Sequence, residues 1–183
     1  LARLSKPVRE AGEILAQLKH PHIVSVIDAD YTAEGAPYLV MEYLDGEDLA
    51  QRLHRGPLSL DCTLGLLQQT ASALSAAHER GVIHRDLKPS NLFLCRSPSQ
   101  ALWVKVLDFG IAKLCQGGRA DPATTARSLP GTPTYMSPEQ ALGARDLDGR
   151  SDQFSLAVIA WELFAGCPAF HDPALDPVAI GLR

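Results

Sequence analysis

Two short apolar runs, 92–94 and 104–107, stand either side of a polar turn at 96–100 and are bracketed by polar clusters. Runs of this length, rich in Leu and Val and bounded by turn-forming residues, read as two buried strands of one hairpin. An antiparallel hairpin returns the chain to where it began. It therefore brings Asn91, just before the first strand, close to Asp108, just after the second. No other feature constrains the fold as tightly, because it makes neighbours of polar residues that are distant in sequence.

The cluster before the first strand is His84-Arg85-Asp86-Leu87-Lys88-Pro89-Ser90-Asn91, and the one after the second is Asp108-Phe109-Gly110. Asp86 to Asn91 packs a carboxylate, a lysine and a side-chain amide into six residues. Phosphoryl transfer needs such a set: a carboxylate to orient a hydroxyl, a cation to neutralise the moving phosphate, and oxygen ligands for Mg²⁺. Carboxylate and amide oxygens are hard donors suited to that ion. Alone, Asp-x-Lys is equally a solvated turn. A second acidic motif at the other end of the hairpin favours the chemical reading.

Around this centre the chain reads as alternating short elements. A helix is expected over 7–19, capped by Ser5, with Ala11, Ile14, Leu15 and Leu18 on its apolar face and a stop at His20-Pro21. Strand-like runs follow at 22–28 and 37–43, with a turn at Glu34-Gly35. A short helix is expected over 47–54. A longer one starts after Ser59, presents Leu60, Leu64, Leu67, Ala71 and Leu74, and ends by Gly81. Residues 111–135 are rich in Gly, Pro, Ser and Thr, and a loop of that length inside a compact domain is usually functional. Ser151 is expected to cap a core helix that is apolar nearly all round, from Ala157 to Phe164, and that ends at Gly166 and Pro168.

Composition sets limits. The 183 residues suit one domain, and a net charge of −4 offers no basic footprint for nucleic acid. Cys62, Cys95, Cys115 and Cys167 form no Cys-x-x-Cys pair and read as reduced packing residues of a cytoplasmic protein. His20 and His22 flank a proline, which suits a turn better than zinc. The longest apolar run, 154–166, is too short to span a membrane and contains Glu162. A membrane anchor outside these residues is compatible with that.

The ordered motifs, continuing to Gly131-Thr132-Pro133-Thr134-Tyr135-Met136-Ser137-Pro138-Glu139 and then Asp152, resemble the catalytic half of a eukaryotic-type Ser/Thr protein kinase, in a style similar to bacterial members. The resemblance covers essentially the whole chain. It implies an α+β bilobal fold, with an N-lobe remnant and hinge over 1–44 (one helix and two to three strands). A mostly helical C-lobe lacking its last helices would occupy 45–183.

By that resemblance, the substrates are ATP, with Mg²⁺, and a protein Ser or Thr hydroxyl. Asp86 is the catalytic base, Lys88 lies against the γ-phosphate, and Asn91 and Asp108 hold the metal. Thr132 hydrogen-bonds Asp86 and Lys88, and together with Lys88 it implies the Ser/Thr preference. Met41 stands at the back of the adenine pocket, Glu42 and Leu44 offer hinge backbone groups, and Phe93 supplies apolar contact. Arg85 and Lys113 pair with a phosphorylated Thr124, Thr125 or Ser128 in the activation loop. His84, Phe109 and Gly110 are framework residues. Asp152 hydrogen-bonds the backbone around His84 and Arg85, and Glu139 is left without its usual distant Arg partner. Glu10, or alternatively Glu13, takes the helical glutamate position.

The pattern also departs from the family. The chain holds no Gly-x-Gly-x-x-Gly loop and no Val-Ala-Ile-Lys strand, and both would lie before residue 1. The expectation is a fragment of a longer kinase that alone transfers phosphate poorly. The alternative is a pseudokinase-like binding module without efficient transfer. A small-molecule kinase fits less well, because 131–139 resembles the segment that presents protein substrates.

Overall fold

The computed structural model describes residues 12–96, 102–109, 133–144 and 146–170. Helix α1 covers 12–16 of the described residues and ends in a turn at Gln17, ahead of His20-Pro21. Leu15 and Leu18 face the core, but Ile14 does not: it is 43% exposed.

Two antiparallel sheets follow. The first is a hairpin of β1 (Val26–Tyr31) and β2 (Pro37–Met41), with Asp28 opposite Val40 and an irregularity between Val26 and Asp28. The second has three strands in the order β3 (Gly46–Asp48), β4 (Leu92–Cys95) and β5 (Trp103–Val106). The expected strand over 22–28 is split between the two. Ile23 bridges Val106, and Val24 N–H donates to the Val106 carbonyl at 3.1 Å, so 22–24 lies along β5. The apolar side chains explain the division: Ile23 and Val24 are buried in the core, whereas Ile27 is exposed.

The helix expected over 47–54 is shorter, because Glu47 and Asp48 are spent on β3. The Asp48 side chain then caps α2 (Leu49–Leu53) by accepting from Gln51 N–H at 2.8 Å. Gly46 permits this tight junction: a Cβ there would lie 2.0 Å from the Leu94 carbonyl oxygen.

Helix α3 (Leu60–His78) is capped by Ser59 as expected, but its buried face is turned from the leucine stripe. The buried positions are Thr63, Leu66, Thr70, Ala73, Leu74 and Ala77, while Leu60 and Leu64 are exposed. The Thr70 hydroxyl donates to the Leu66 carbonyl at 2.8 Å, which lets a polar side chain enter the core. Small Ala73 and Ala77 allow close packing of neighbouring elements. Helix α3 also braces β5 directly, since the Gln69 side chain donates to Leu102 O at 2.9 Å and accepts from Val104 N–H at 2.8 Å.

A one-turn helix, α4 (Pro138–Ala141), precedes α5 (Gly149–Ala165). The α5 cap is Asp148, not Ser151; Ser151 sits buried in the first turn, its hydroxyl turned to Glu139. The helix is also not apolar-buried all round. Val158, Ile159 and Leu163 enter the core, while Trp161 and Phe164 are more than half exposed. Gly166 ends it in left-handed backbone, φ 71°.

A single core cluster joins Leu15, Leu18 and Ile23 to Leu66, Leu87, Leu92, Val104, Val106 and Ile159. Burying one such side chain stabilises by roughly 1.5–3 kcal/mol. The core therefore holds α1, the β3–β5 sheet, α3 and α5 together through the loop that carries Leu87.

Candidate active site

The polar loop between α3 and β4 is fixed by its backbone partners. Gly81 turns the chain out of α3 with φ 72°. The Asp152 carboxylate, 1% exposed in the first turn of α5, then accepts three hydrogen bonds. His84 N–H donates to Oδ2 at 2.8 Å, Arg85 N–H to Oδ1 at 2.9 Å, and His78 Nε2 lies 2.7 Å from Oδ2. His78 carries no signal in the sequence beyond its place in the last turn of α3.

His84 is fully buried, and burial holds its pKa below the usual 6.5 against the opposing pull of Asp152 and other nearby acids. Its neighbours fit one neutral tautomer: Nε2–H donates to Leu107 O at 2.8 Å, and Nδ1 accepts from Asp86 N–H at 3.3 Å. Phe109, 2% exposed, packs on the ring with centroids 4.8 Å apart. His84 thus links the loop before β4 to the segment after β5.

At the mouth of the hairpin, Leu107 N–H donates to Asn91 O at 2.9 Å, so the two polar clusters meet. Lys88 Nζ is 2.7 Å from Asp86 Oδ2. Asn91 Nδ2 donates to Asp86 O at 2.8 Å, which leaves its Oδ1 as the acceptor. Asp108 is exposed and left-handed, with φ 52°. Arg85 is left-handed too, with φ 65°.

A small cleft of about 10 Å³ beside Asp86 is bounded by Arg85, Lys88, Tyr135, Met136, Gln140 and Ser155. The larger hollow, about 460 Å³, lies between α1 and 20–26 and includes none of Asp86, Lys88, Asn91 or Asp108 in its lining. Position at the polar cluster, not volume, marks the site.

The segment 133–141 forms the cleft's far wall. Ser155 Oγ donates to Tyr135 O at 2.7 Å, and the Tyr135 hydroxyl donates to Glu162 Oε2 at 2.6 Å. Burial and that carboxylate push the Tyr135 pKa well above its usual value. Glu139, expected from the sequence to lack its distant Arg partner and stand unpaired, has a local partner instead: Ser151 Oγ donates to its Oε1 at 2.5 Å, which lowers its pKa. Both residues sit near their helix starts, and the bond satisfies the buried Ser151 hydroxyl.

On the other side of the sheet, Met41 is 37% exposed at the end of β2 and is not a core residue. Leu44 and Phe93 are half-buried, with Phe93 opposite Lys105 in the β4–β5 register. Glu42 does more than offer backbone. Its Oε1 accepts from Ser25 N–H at 2.8 Å and from Lys105 Nζ at 2.7 Å. Burial alone would raise the Glu42 pKa, but these bonds and the lysine charge outweigh it and lower the pKa. Lys105, a lone charge between Val104 and Val106, is the residue whose pattern could have pointed to this tether, which the sequence reading missed. Glu13 is exposed, whereas Glu10, Gly110, Lys113, Thr124, Thr125, Ser128 and Thr132 lie outside the described residues.

The family model for the protein kinase domain matches residues 3–178. The serine/threonine-protein kinase Pkn1 of Myxococcus xanthus is 49% identical over 85% of this chain and 22% of its own length. Pkn3 of the same organism is 43% identical over 93% of this chain and 31% of its length. PknB of Mycobacterium tuberculosis is 38% identical over 96% of this chain and 27% of its length. The chain thus spans between about a fifth and a third of the length of these curated relatives. A crystal structure of the Mycobacterium tuberculosis PknI kinase domain superposes with a TM-score of 0.69 at 33% identity, covering 90% of this chain and 57% of that one. With the polar loop, the hairpin mouth and the far wall in this order, and a family match over nearly the whole length, the chain belongs to the protein kinase family, in its bacterial Ser/Thr branch.

Proposed function

We propose that this chain is the catalytic part of a Ser/Thr protein kinase, transferring the ATP γ-phosphoryl group to a protein Ser or Thr hydroxyl. The observation that carries the reading is the convergence of Asp86, Lys88 and Asn91 at the hairpin mouth, with Lys88 Nζ 2.7 Å from Asp86 Oδ2. Asp86 orients the hydroxyl and takes its proton as that oxygen bonds to phosphorus and the bond to ADP breaks. Lys88, already beside the carboxylate, offsets charge on the transferred group.

The donor set also fits a divalent cation. Asn91 has spent Nδ2 on Asp86 O, so Oδ1 is the atom available to a metal, and Asp108 offers an exposed carboxylate. Among the described residues no cluster of three or more His, Cys, Asp or Glu forms a closed metal cage. Mg²⁺ keeps waters and phosphate oxygens among its ligands, so one or two protein oxygens suffice for it. Asn91 and Asp108 would hold it, and the ion would supply charge neutralisation on the phosphates.

Relatives named as Ser/Thr protein kinases support this reading over a pseudokinase-like binding module. In a full-length kinase carrying this chain, Asp86→Asn is expected to lower kcat about 10²–10⁴-fold on a Ser/Thr peptide, with the melting temperature unchanged. An Asp86→Asn enzyme within tenfold of wild type would remove Asp86 from its role.

A further inference from the structure

We propose that Gln140 is a positioning residue for phosphoryl transfer, tying the wall of the substrate cleft to the peptide that carries Asp86. The inference rests on the kinase reading above and assigns a role within that same site.

Gln140 uses both ends of its side-chain amide. It is the third residue of α4, where Oε1 accepts from Ser137 N–H at 3.1 Å and its own N–H donates to Ser137 Oγ at 3.4 Å, a reciprocal capping box. Nε2 reaches away from the helix and donates to Arg85 O at 2.7 Å. That carbonyl belongs to the peptide joining Arg85 to Asp86.

The backbone N–H groups of both residues are already held. Arg85 N–H is bound by Asp152 and Asp86 N–H by His84 Nδ1. The Arg85 backbone sits in the left-handed region, φ 65°, where a residue with a side chain stays only if its surroundings hold it. Gln140 supplies the hold on the carbonyl side. Its own platform is rigid, because α5 anchors the same segment through Ser155 to Tyr135 O, Glu162 to the Tyr135 hydroxyl, and Ser151 to Glu139. A continuous strut therefore runs from α5 through 135–140 to the Asp86 peptide.

The residue type carries the distinction between helix cap and strut. A capping box accepts Glu as readily as Gln at this position. Only the amide has an N–H to give to a carbonyl; a carboxylate would face Arg85 O with like partial charge. Loss of the bond frees the Arg85–Asp86 peptide to relax, and a misplacement of about 1 Å at a reacting group lowers rate by roughly 10²-fold.

The test uses a full-length kinase carrying this chain, with kcat, KM for ATP and melting temperature measured on wild type, Asp86→Asn, Gln140→Glu and Gln140→Met. Gln140→Glu is expected to keep the melting temperature and the KM for ATP while kcat falls about tenfold or more. Gln140→Met, which loses both bonds at similar volume, is expected to match that fall in kcat and also to melt lower. A Gln140→Glu kcat within twofold of wild type overturns the inference. So does a fall in kcat that merely tracks melting temperature across the two variants. If wild type and Asp86→Asn alike transfer nothing, the kinase reading itself fails; if wild type is active, Asp86→Asn is not and Gln140→Glu is, only the role of Gln140 fails.

Discussion

The β1–β2 and β4–β5 hairpins are both short and antiparallel, but they are held in opposite ways. In β4–β5, Leu92, Val104 and Val106 have no exposure at all, Gln69 of α3 braces one edge, and 22–24 lies along β5. In β1–β2, no residue whose side chain is described is buried, and Ile27, Tyr38, Val40 and Met41 are exposed. A two-stranded hairpin alone is at best marginally stable in water. Asn91 and Asp108 thus hang on a hairpin fixed by the core. Met41 ends, and Glu42 and Leu44 follow, a hairpin joined to it by the Glu42–Lys105 tether and by Val26, which packs against the core. The side proposed to perform transfer is pre-organised within these residues; the side proposed to meet the nucleotide is positioned by a polar tether and one half-buried valine.

The largest effect that would test this contrast is at Asp152. Asp152→Ala leaves the His84 and Arg85 N–H groups without their buried acceptor, and a buried donor left unsatisfied costs about 1–3 kcal/mol. Chemical denaturation should show it as a lower midpoint. A loss under 1 kcal/mol would mean the loop is not held from α5.

A paired substitution separates the hairpins next. Val104→Thr places a hydroxyl in a fully buried strand and should destabilise by about 1–3 kcal/mol. Val40→Thr, at 41% exposure, should stay within about 0.5 kcal/mol. Equal costs at the two sites would erase the distinction drawn between the sheets.

The smallest and most graded effect is with acid. His84 is held neutral, so below pH 6.5 the unfolded chain takes up a proton that the folded one refuses. Stability therefore falls as pH drops below 6.5, by at most about 1.4 kcal/mol per pH unit for one proton. Glu42 acts in another window: its lowered pKa contributes stability that is full above 4.5 and lost as pH falls below it. Melting temperature against pH should show the first decline in wild type and Glu42→Gln alike, and a steeper second decline in wild type than in Glu42→Gln, in which Glu139 still contributes to that window. Equal declines below 4.5 in the two proteins would break the Glu42 assignment.

The sequence revealed most where the chemistry is local. The β4–β5 hairpin, the meeting of Asn91 with Asp108 and the Ser59 cap could all be read from residue order, because short-range pattern determines them. Helix α3 misled because leucine spacing points to one face, while the structure buries Thr63, Thr70, Ala73 and Ala77. Burial there follows close packing and a satisfied hydroxyl, which hydrophobicity does not register. Strand β3 was missed because Glu47 and Asp48 pair through backbone alone. The contacts of Gln140, His78 and Lys105 escaped for a different reason. Each partner is distant in sequence, and one of them, Arg85 O, is a carbonyl that every residue type carries.

Arg85 and Asp108 are the non-glycine residues with left-handed backbone among those described, and each belongs to one of the two polar clusters. Glycine enters that region without the side-chain clash that other residues meet, a difference of about 1 kcal/mol. Backbone sterics alone would favour a drift to Gly at both positions. At 108 that drift would remove the carboxylate proposed to hold metal, and at 85 it would loosen the approach to Asp86. Backbone ease and the proposed chemistry thus pull in opposite directions at two identifiable positions, and glycine at either would relax the chain while weakening the proposed reaction.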